Sequence, residues 1–426
     1  MARRSTSARV RRARASSHSR SAPTSAVAGG VTSPRGFRAA SAEAGIKPGS
    51  RRPDLALVLS DAPAVVAGMF TTNRVQAAPV VWSRRIVARR GAVRAVLLNS
   101  GNANACTGPS GDAATRASAG AVARLLGVHT AEILVASTGV IGVPFPVERL
   151  LGALPALVGG LGSGRSAARG AARAILTTDT VLKERAARAR VAGRDYTIGG
   201  VAKGAGMIHP DMATMLAVVT TDAPLGRAQA RRLLRAAVDR TFNALTVDGD
   251  TSTNDCVLFL ANGLAGGRIP PGSAAEDVLA QALESVCARL AEAIAADGEG
   301  ARKLLIVRVE GARSDRDARH IARTVAASML VKTAVHGGDP NWGRVLAAAG
   351  RAGVRIDPGV LDLWIGGALV ARGGAAHPPG ERAAARHLQG RRIVLDLCVG
   401  HGPGRAVGLG SDLSADYVRI NAHYRS

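Results

Sequence analysis

The Ala213-Thr214 pair places a small residue before a hydroxyl-bearing residue, at the start of an apolar segment typical of a strand. Cleavage between them would leave Thr214 with a free α-amine beside its own hydroxyl, a complete nucleophile and base. In the preceding loop, Gly204 and Gly206 permit tight turns and Lys203 supplies a cation. The pattern predicts an enzyme that creates its active site by cutting itself, although a Thr in this position is also a common packing residue.

Two further segments carry polar groups suited to chemistry. Residues 137–142, Ser-Thr-Gly-Val-Ile-Gly, follow a strand candidate. They form either a strand exit or an oxyanion hole in which the Thr138 hydroxyl and the Gly139 N–H donate to one oxygen atom. Residues 99–108 are dense in small polar side chains, which either satisfy one another in a loop or form an active-site wall. Neither segment has P-loop or GxGxxG spacing, so no nucleotide site is predicted.

Three acidic segments permit different interpretations. Residues 297–300, Asp-Gly-Glu-Gly, lie at a predicted helix-to-strand junction and form either an exposed turn or a carboxylate site for a substrate ammonium. Residues 248–255 lack the closing glutamate of a calcium loop, and we predict no metal site. Residues 339–344 predict a turn followed by the start of a helix, with a structural or interface role.

Composition limits the class of protein. The 426 residues are 47% hydrophobic, enough for a large core. A net charge of +25 would suit nucleic acid, but only five of the 56 basic residues are Lys and aromatic residues make up 3%. Because no basic and aromatic stacking motif is present, we predict no nucleic-acid partner. No apolar run is long enough to cross a bilayer, so no membrane partner is predicted.

The four cysteines are widely spaced and form no CxxC pair. They predict reduced thiols in a cytoplasmic protein rather than a disulfide framework or a zinc site. Residues 1–27 contain seven Arg and no acidic residue. They are typical of a disordered basic tail, although a transit peptide or a misplaced start codon would give the same pattern.

Short runs rich in Val, Leu and Ile alternate with amphipathic segments, which predicts α/β layers with sheets buried between helices. The predicted strands are 55–59, 93–98, 132–136, 215–220, 256–261, 303–309, 361–365 and 392–398. The predicted helices are 112–126, 166–176, 226–240, 275–296 and 315–330.

From residue 31 to the end, the chain resembles the ornithine acetyltransferase/glutamate N-acetyltransferase family of arginine biosynthesis. The matching segments occur in the family's order: TSPRGF, FTTNRVQAAPV, NSGNANACTG, STGVIG, TTDT, KGAGMIHPDMATML, DGDTSTNDC, DGEGARK, VKTAVHGGDPNWGR and DLSADYVRINAHYRS. The resemblance implies a four-layer αββα sandwich of the DmpA/ArgJ-like type, related to but topologically distinct from N-terminal-nucleophile hydrolases. It also implies self-cleavage into an α chain, 28–213, and a β chain, 214–426, that remain associated as α2β2.

The resemblance also assigns roles to individual residues. It implies that Thr214 is the nucleophile and that Thr138 and Gly139 form the oxyanion hole. The substrate site would be lined by Lys203, Glu299, Asn421, Ser426 and one Thr of the pair Thr177 and Thr178. The implied reaction moves acetyl from N2-acetylornithine to glutamate through an acetyl-Thr intermediate, without a cofactor, and acetyl-CoA is a possible second donor.

Two other functions fit parts of the pattern. A self-cleaving aminopeptidase or amidase of related fold would pass the acyl group to water instead of glutamate. A non-enzymatic basic binding protein would account only for the charge and the N-terminal segment. The number of matching segments favours acetyl transfer.

Overall fold

The computed structural model describes residues 24–47, 49–191, 193–209 and 215–423. The predicted cleavage pair, Ala213 and Thr214, and the predicted substrate residue Ser426 lie outside the described residues.

The larger sheet contains nine of the described strands and is mixed. In spatial order it runs β1-β6-β7-β8-β9-β3-β4-β5, with β2 beside β3. Its strands are β1 (Thr24–Val27), β2 (Phe37–Ala42), β3 (Leu55–Phe70), β4 (Val93–Asn102), β5 (Ile133–Val140), β6 (Lys183–Val191), β7 (Arg194–Lys203), β8 (Leu216–Thr221) and β9 (Cys256–Ala261). The long β3 joins two halves, because its first part pairs with β4 and its second part with β9.

The two halves of this sheet pack face to face. Side chains alternate between the faces of a strand, so Val58 of β3 and Val218 of β8 meet in the core between the halves. Their neighbours Leu57 and Val219 point to opposite outer layers of helices. The flanking helices are α1 (Ala78–Ala88), α2 (Gly108–Leu126), α3 (Val147–Gly159), α4 (Arg165–Ala174), α5 (Arg227–Arg240) and α6 (Ala274–Ala296).

The helices complete four layers. Helices α2 and α3 bury apolar residues against the half that contains β4 and β5. Helices α5 and α6 do the same against the half that contains β7, β8 and β9. The predicted four-layer αββα sandwich is therefore confirmed.

A second sheet, which the sequence did not distinguish from the first, follows α6. Its order is β13-β12-β11-β14-β10-β15. The strands are β10 (Leu304–Ala312), β11 (Asp362–Ile365), β12 (Ala368–Arg372), β13 (Ala375–Ala376), β14 (Arg392–Cys398) and β15 (Gly404–Ser411). The accompanying helices are α7 (Asp315–Ala326), α8 (Met329–Gly337), α9 (Trp342–Gly350), α10 (Glu381–Leu388) and α11 (Ala415–His423). Helix α6 lies between the two sheets, since Ile306 and Leu409 join the core that its buried face forms.

The ends of α6 are fixed by local chemistry. The Ser273 hydroxyl accepts a hydrogen bond from Glu276 N–H at 3.3 Å, and acidic Glu276 and Asp277 occupy the first turn, where the helix dipole favours them. The helix ends at Ala296, so Asp297 and Glu299 follow immediately in the turn toward β10. This end of the helix meets the candidate site.

Two predicted boundaries are wrong. The basic tail was predicted to extend to residue 27, but Thr24–Val27 already pair with β6, because backbone hydrogen bonds do not depend on side-chain composition. The single helix 315–330 is two helices, because extended backbone at Ser328 separates α7 from α8. The eight predicted strands are confirmed, and α9 begins where residues 339–344 predicted a helix start. None of the helices in the described ranges combines the length and apolar character that crossing a membrane requires.

Candidate active site

The end of β5, at Thr138 and Gly139, is an irregular part of the strand where its pairing with β4 shifts register. Gly139 has φ +132°, and a Cβ atom built on it would lie 2.3 Å from the carbonyl carbon of Gly101. A side chain at this position is therefore excluded by both backbone conformation and space. Thr138 precedes it and is buried. The predicted oxyanion pair thus lies at a point where the chain requires glycine.

Hydrogen bonds from the polar segment 99–108 and from Asn254 hold this end of β5 in place. The Ser137 hydroxyl donates to Asn99 Oδ1 at 2.6 Å. Across the sheet, Asn254 Nδ2 donates to the carbonyl oxygens of Ala103 at 2.6 Å and Ser137 at 2.8 Å. The sequence offered two alternatives for segment 99–108, and both occur. Its polar groups satisfy one another, and Ala103 lines the cavity beside the end of β5.

Lys203, at the end of β7, contacts the predicted oxyanion pair. Only 3% of it is exposed, and its Nζ donates to Thr138 Oγ1 at 3.0 Å. Burial lowers the pKa of Lys203, the charge of Lys183 adds to this, and the Asp179 carboxylate opposes it only in part. The resemblance placed Lys203 in the substrate site, and the sequence did not predict its contact with Thr138.

The loop that carries Thr177 and Thr178 is held by a buried ion-pair cluster. The fully buried Lys183 donates to Asp179 at 2.7 Å and to Asp297 at 2.5 Å. Asp179 also accepts from Thr177 N–H at 3.1 Å and from the N–H of Gly204 at 2.7 Å. Burial by itself would raise the pKa of Asp179, but the charges of Lys203 and Lys183 and these hydrogen bonds outweigh it and lower the value. The cluster fixes the threonines relative to Lys203.

The acidic turn 297–300 divides into two parts with different roles. Asp297 is buried on Lys183, so the alternative of an exposed acidic turn is wrong for this residue. Glu299 faces the cavity, and its Oε2 accepts from Asn421 Nδ2 of α11 at 2.8 Å. A Cβ atom on Gly206 would lie 2.4 Å from the Glu299 carboxyl carbon, so this glycine makes room for the carboxylate.

A further acidic residue, Asp248, shapes the opposite wall. Its carboxylate accepts from the N–H groups of Met207 at 2.5 Å and Ile208 at 2.8 Å. The hydroxyl of Tyr417 on α11 lies beside it, and burial together with the charges of Asp248 and Glu299 raises the pKa of that phenol. Asp248 therefore fixes the loop that leads from β7 toward the predicted cleavage pair.

These groups enclose one cavity of about 190 Å³. This is smaller than the roughly 300–1,000 Å³ of pockets for drug-sized ligands, which indicates a small substrate. The structure brings every described site residue that the sequence predicted to this cavity: Thr138, Gly139, Thr177, Thr178, Lys203, Glu299 and Asn421. They come from five separated parts of the chain.

Sequence reasoning missed four polar residues that organise the site: Asp179, Asp248, Asn254 and Asp255. All four lie within segments that were recognised as motifs, TTDT and DGDTSTNDC. Their position near buried strands and turns could have indicated such a role, because an aspartate or asparagine there needs backbone hydrogen-bond partners.

A layered α/β fold whose small polar cavity is lined by the predicted oxyanion pair and a buried lysine contains the kinds of groups that acyl transfer uses. The profile of the ArgJ family matches residues 38–426. The chain belongs to the ArgJ family, which confirms the resemblance to acetyltransferases of arginine biosynthesis.

Curated relatives match almost the whole chain. The "Arginine biosynthesis bifunctional protein ArgJ" of Symbiobacterium thermophilum is 51% identical, over 94% of this chain and 99% of its own length. The protein of the same name from Thermosynechococcus vestitus is 49% identical, over 93% of this chain and 98% of its own.

Two solved structures each match about half of this chain. The ArgJ structure from Bacillus halodurans is 39% identical, covers 49% of this chain and 98% of that chain, and has a TM-score of 0.48. An ornithine acetyltransferase from Mycobacterium tuberculosis, solved with ornithine, is 44% identical, covers 44% of this chain and 98% of that chain, and has a TM-score of 0.41.

Proposed function

We propose that this chain transfers acetyl from N2-acetylornithine to glutamate through an acetyl-Thr214 intermediate, after cleavage of its own Ala213–Thr214 bond. The observation that carries the proposal is the convergence of Thr138, Gly139, Lys203 and Glu299 on one small cavity. Family membership supports the class of reaction. The loop from Gly204 to His209 leads directly from this cavity toward Thr214.

In the first half-reaction, Thr214 Oγ attacks the acetyl carbonyl carbon and the α-amine of Thr214 takes the proton. An ordinary α-amine has a pKa of about 7.7–8.0, which suits a general base near neutral pH. Thr138 and the Gly139 N–H stabilise the oxyanion. The proton then passes to the leaving amine, so ornithine departs and the acetyl ester of Thr214 remains.

In the second half-reaction, the α-amine of glutamate attacks the acetyl ester and regenerates Thr214. Ornithine and glutamate share an α-carboxylate and an α-amine, so both bind through the same polar groups near Thr177, Thr178 and Asn421. Glu299 faces the cavity with a carboxylate, which favours the side-chain ammonium of ornithine. This preference gives the donor acetylornithine and the acceptor glutamate different affinities at one site.

The word "bifunctional" in the names of the relatives favours a second reaction in which acetyl-CoA acylates Thr214 in place of acetylornithine. Incubation of the purified enzyme with acetyl-CoA and glutamate, without acetylornithine, tests this second reaction. Formation of N-acetylglutamate is expected, and its absence would restrict the enzyme to acetyl recycling.

The proposal includes an α2β2 assembly, in which the β chain begins at Thr214, and a cytoplasmic location. The four cysteines support the location, because all are free thiols and Cys256 and Cys287 are buried. Sedimentation of the purified protein tests the assembly. The measured mass should equal that of two αβ pairs.

A denaturing gel combined with product analysis tests the main reaction. We expect two fragments, the second of which begins at residue 214. Acetylornithine labelled in its acetyl group should pass the label to glutamate. Thr214→Ala should remain uncut and inactive. An intact, active chain would contradict the proposal, and label recovered as free acetate at the expense of N-acetylglutamate would instead support the amidase alternative.

A further inference from the structure

Lys47 is a half-buried lysine behind the candidate active site. It is not among the described residues that line the cavity. Its Nζ donates a hydrogen bond to the carbonyl oxygen of Leu176. The next two residues in the chain, Thr177 and Thr178, do line the cavity. Lys47 therefore contacts the backbone directly before the two threonines that the proposed function places beside the substrate.

A buried carboxylate fixes the position of Lys47. Asp54 is 0% exposed, and its Oδ1 accepts from Ala44 N–H at 2.7 Å. Its Oδ2 accepts from the N–H groups of Ile46 at 2.6 Å and Lys47 at 3.1 Å. The backbone carbonyl of Asp54 accepts from Ser100 N–H of β4 at 2.9 Å. Because hydrogen bonds to a carboxylate are stronger than those between neutral groups, the segment that carries Lys47 is firmly attached to β4.

The backbone that Lys47 contacts follows the C-terminal end of α4. The last carbonyl groups of a helix have no partner within the helix, and a cation near them is favourable. The Ser100 hydroxyl donates at 2.6 Å to the carbonyl of Ala174, the last residue of α4. Lys47 donates to Leu176, two residues further along. One hydroxyl and one ammonium therefore hold the segment between α4 and Thr177.

The aliphatic stem of Lys47 packs on the other part of the site. Gly101 has φ +100°, and a Cβ atom built on it would lie 2.5 Å from Lys47 Cγ. Gly101 lies opposite Gly139 in the pairing of β4 with β5. The stem of Lys47 thus lies against the backbone that packs on the predicted oxyanion pair.

The charges of the site reach the Lys47 ammonium. Burial lowers the pKa of Lys47, the charges of Lys203 and Arg52 add to this, and Asp54 and Asp179 oppose it. A test of Lys47 therefore needs one variant that keeps the positive charge.

We propose that Lys47 is a positioning residue with two functions: its ammonium fixes the segment that presents Thr177 and Thr178 to the substrate, and its stem supports the backbone at Gly139. The inference rests on the proposed acetyl-transfer function. Acetylornithine and glutamate share the α-carboxylate that this function places near the threonines. Loss of the ammonium should therefore weaken the binding of both substrates and leave kcat nearly unchanged, the result of losing uniform binding. Loss of the stem should lower kcat.

The test compares Lys47→Met, which keeps most of the stem, with Arg227→Met. Arg227 is the matched control, because it is half-buried and donates to the carbonyl of Val87 near the end of α1. Melting temperature, gel fragments, kcat and both KM values are measured for each variant and for the unmodified protein. Lys47→Met should fold and be cut. Both of its KM values should rise by about tenfold, since a hydrogen bond from a charged group is lost. Its kcat should stay within about twofold of the unmodified value. Arg227→Met should keep both KM values.

Two further variants separate the ammonium from the stem. Lys47→Arg keeps a cationic donor, so both KM values should return to within about threefold of the unmodified values. Lys47→Ala removes the stem as well, so its kcat should be about tenfold below that of Lys47→Met, because a small misplacement of a catalytic group slows a reaction strongly.

Four outcomes would overturn the proposal: unchanged KM values in Lys47→Met, a rise for only one substrate, KM values in Lys47→Arg as high as in Lys47→Met, or an uncut or unfolded Lys47→Met. Equal kcat values in Lys47→Ala and Lys47→Met would remove the function of the stem. If the unmodified protein transfers no acetyl, the proposed function fails instead.

Discussion

Lys203 Nζ donates a hydrogen bond of 3.0 Å to Thr138 Oγ1, and both side chains are buried. A hydroxyl group has one proton and can accept two hydrogen bonds. Because Lys203 occupies an acceptor position, the proton of Thr138 is available to another acceptor. A positive charge on Lys203 would also strengthen that proton as a donor. Under the proposed function, this contact leaves the Thr138 proton free to donate to the oxyanion.

This relationship predicts the effect of removing the hydroxyl. Thr138→Val preserves shape but removes the donor, and kcat for acetyl transfer should fall by about 100- to 1,000-fold, the cost of one oxyanion-hole donor. Thr138→Ser should retain most of the activity. Single-turnover transfer from labelled acetylornithine measures the step directly. Activity within threefold of the unmodified protein in Thr138→Val would exclude Thr138 from oxyanion stabilisation.

The neighbouring glycine predicts a stability effect with a matched control. Gly139→Ala should lower the free energy of unfolding by about 2 kcal/mol or more, because φ is +132° and Gly101 leaves no space for a Cβ atom. Gly142→Ala should cost less, since its Cβ atom would meet no atom within 4 Å, although its φ is also positive. Urea unfolding measures the free energy of unfolding of both variants. Equal losses would mean that the positive φ, and not the lack of space beside Gly101, determines the cost at Gly139.

Glu299 predicts different effects on the two substrates. Glu299→Gln keeps the shape and the hydrogen bond from Asn421 but removes the charge. KM for acetylornithine should rise by about tenfold or more, the value of a hydrogen bond to a charged group, while KM for glutamate should not rise, because the change removes a like charge from the shared site. Glu292→Gln is the control, because Glu292 lies on the exposed side of α6 in a pair with Arg392. Equal increases for both substrates would remove Glu299 from donor recognition.

Lys332 on α8 predicts a pH dependence of stability. Burial lowers the pKa of this lysine from 10.5 to about 8, although Asp248 and Asp412 oppose the change. Between these two pH values the unfolded chain binds more protons than the folded protein, so the contribution of Lys332 to stability should rise with pH. Lys332→Met should flatten this rise in urea unfolding measured from pH 8 to 10.5. An unchanged slope would show that Lys332 is not its source.

The sequence was most informative where local pattern and burial agree. Strand β9 and helix α6 have apolar residues at the spacing that their layers require, and both were predicted nearly to the residue. Strands β6 and β15 were missed, because β6 is rich in Arg and Ala and β15 is rich in Gly. Their strand conformation depends on pairing with distant neighbours, which local propensity does not report.

For the site, the motifs predicted which residues carry chemistry but not how they contact one another. The hydrogen bond between Lys203 and Thr138 joins residues 65 positions apart, and that between Lys183 and Asp297 spans 114 positions. Such contacts follow from sheet order, which the sequence did not supply. The same reason explains why Asp179 and Asp255 were recognised only within motifs and received no role.

The central claim is that Thr214 becomes an N-terminal residue and carries the acetyl group. The most direct measurement is intact mass spectrometry of the purified protein after incubation with N2-acetylornithine without glutamate. We predict a fragment that begins at Thr214 and is heavier by one acetyl group, located on the Thr214 hydroxyl and lost when glutamate is added. A single uncut chain that still makes N-acetylglutamate, or an acetyl group on another residue, would contradict the account.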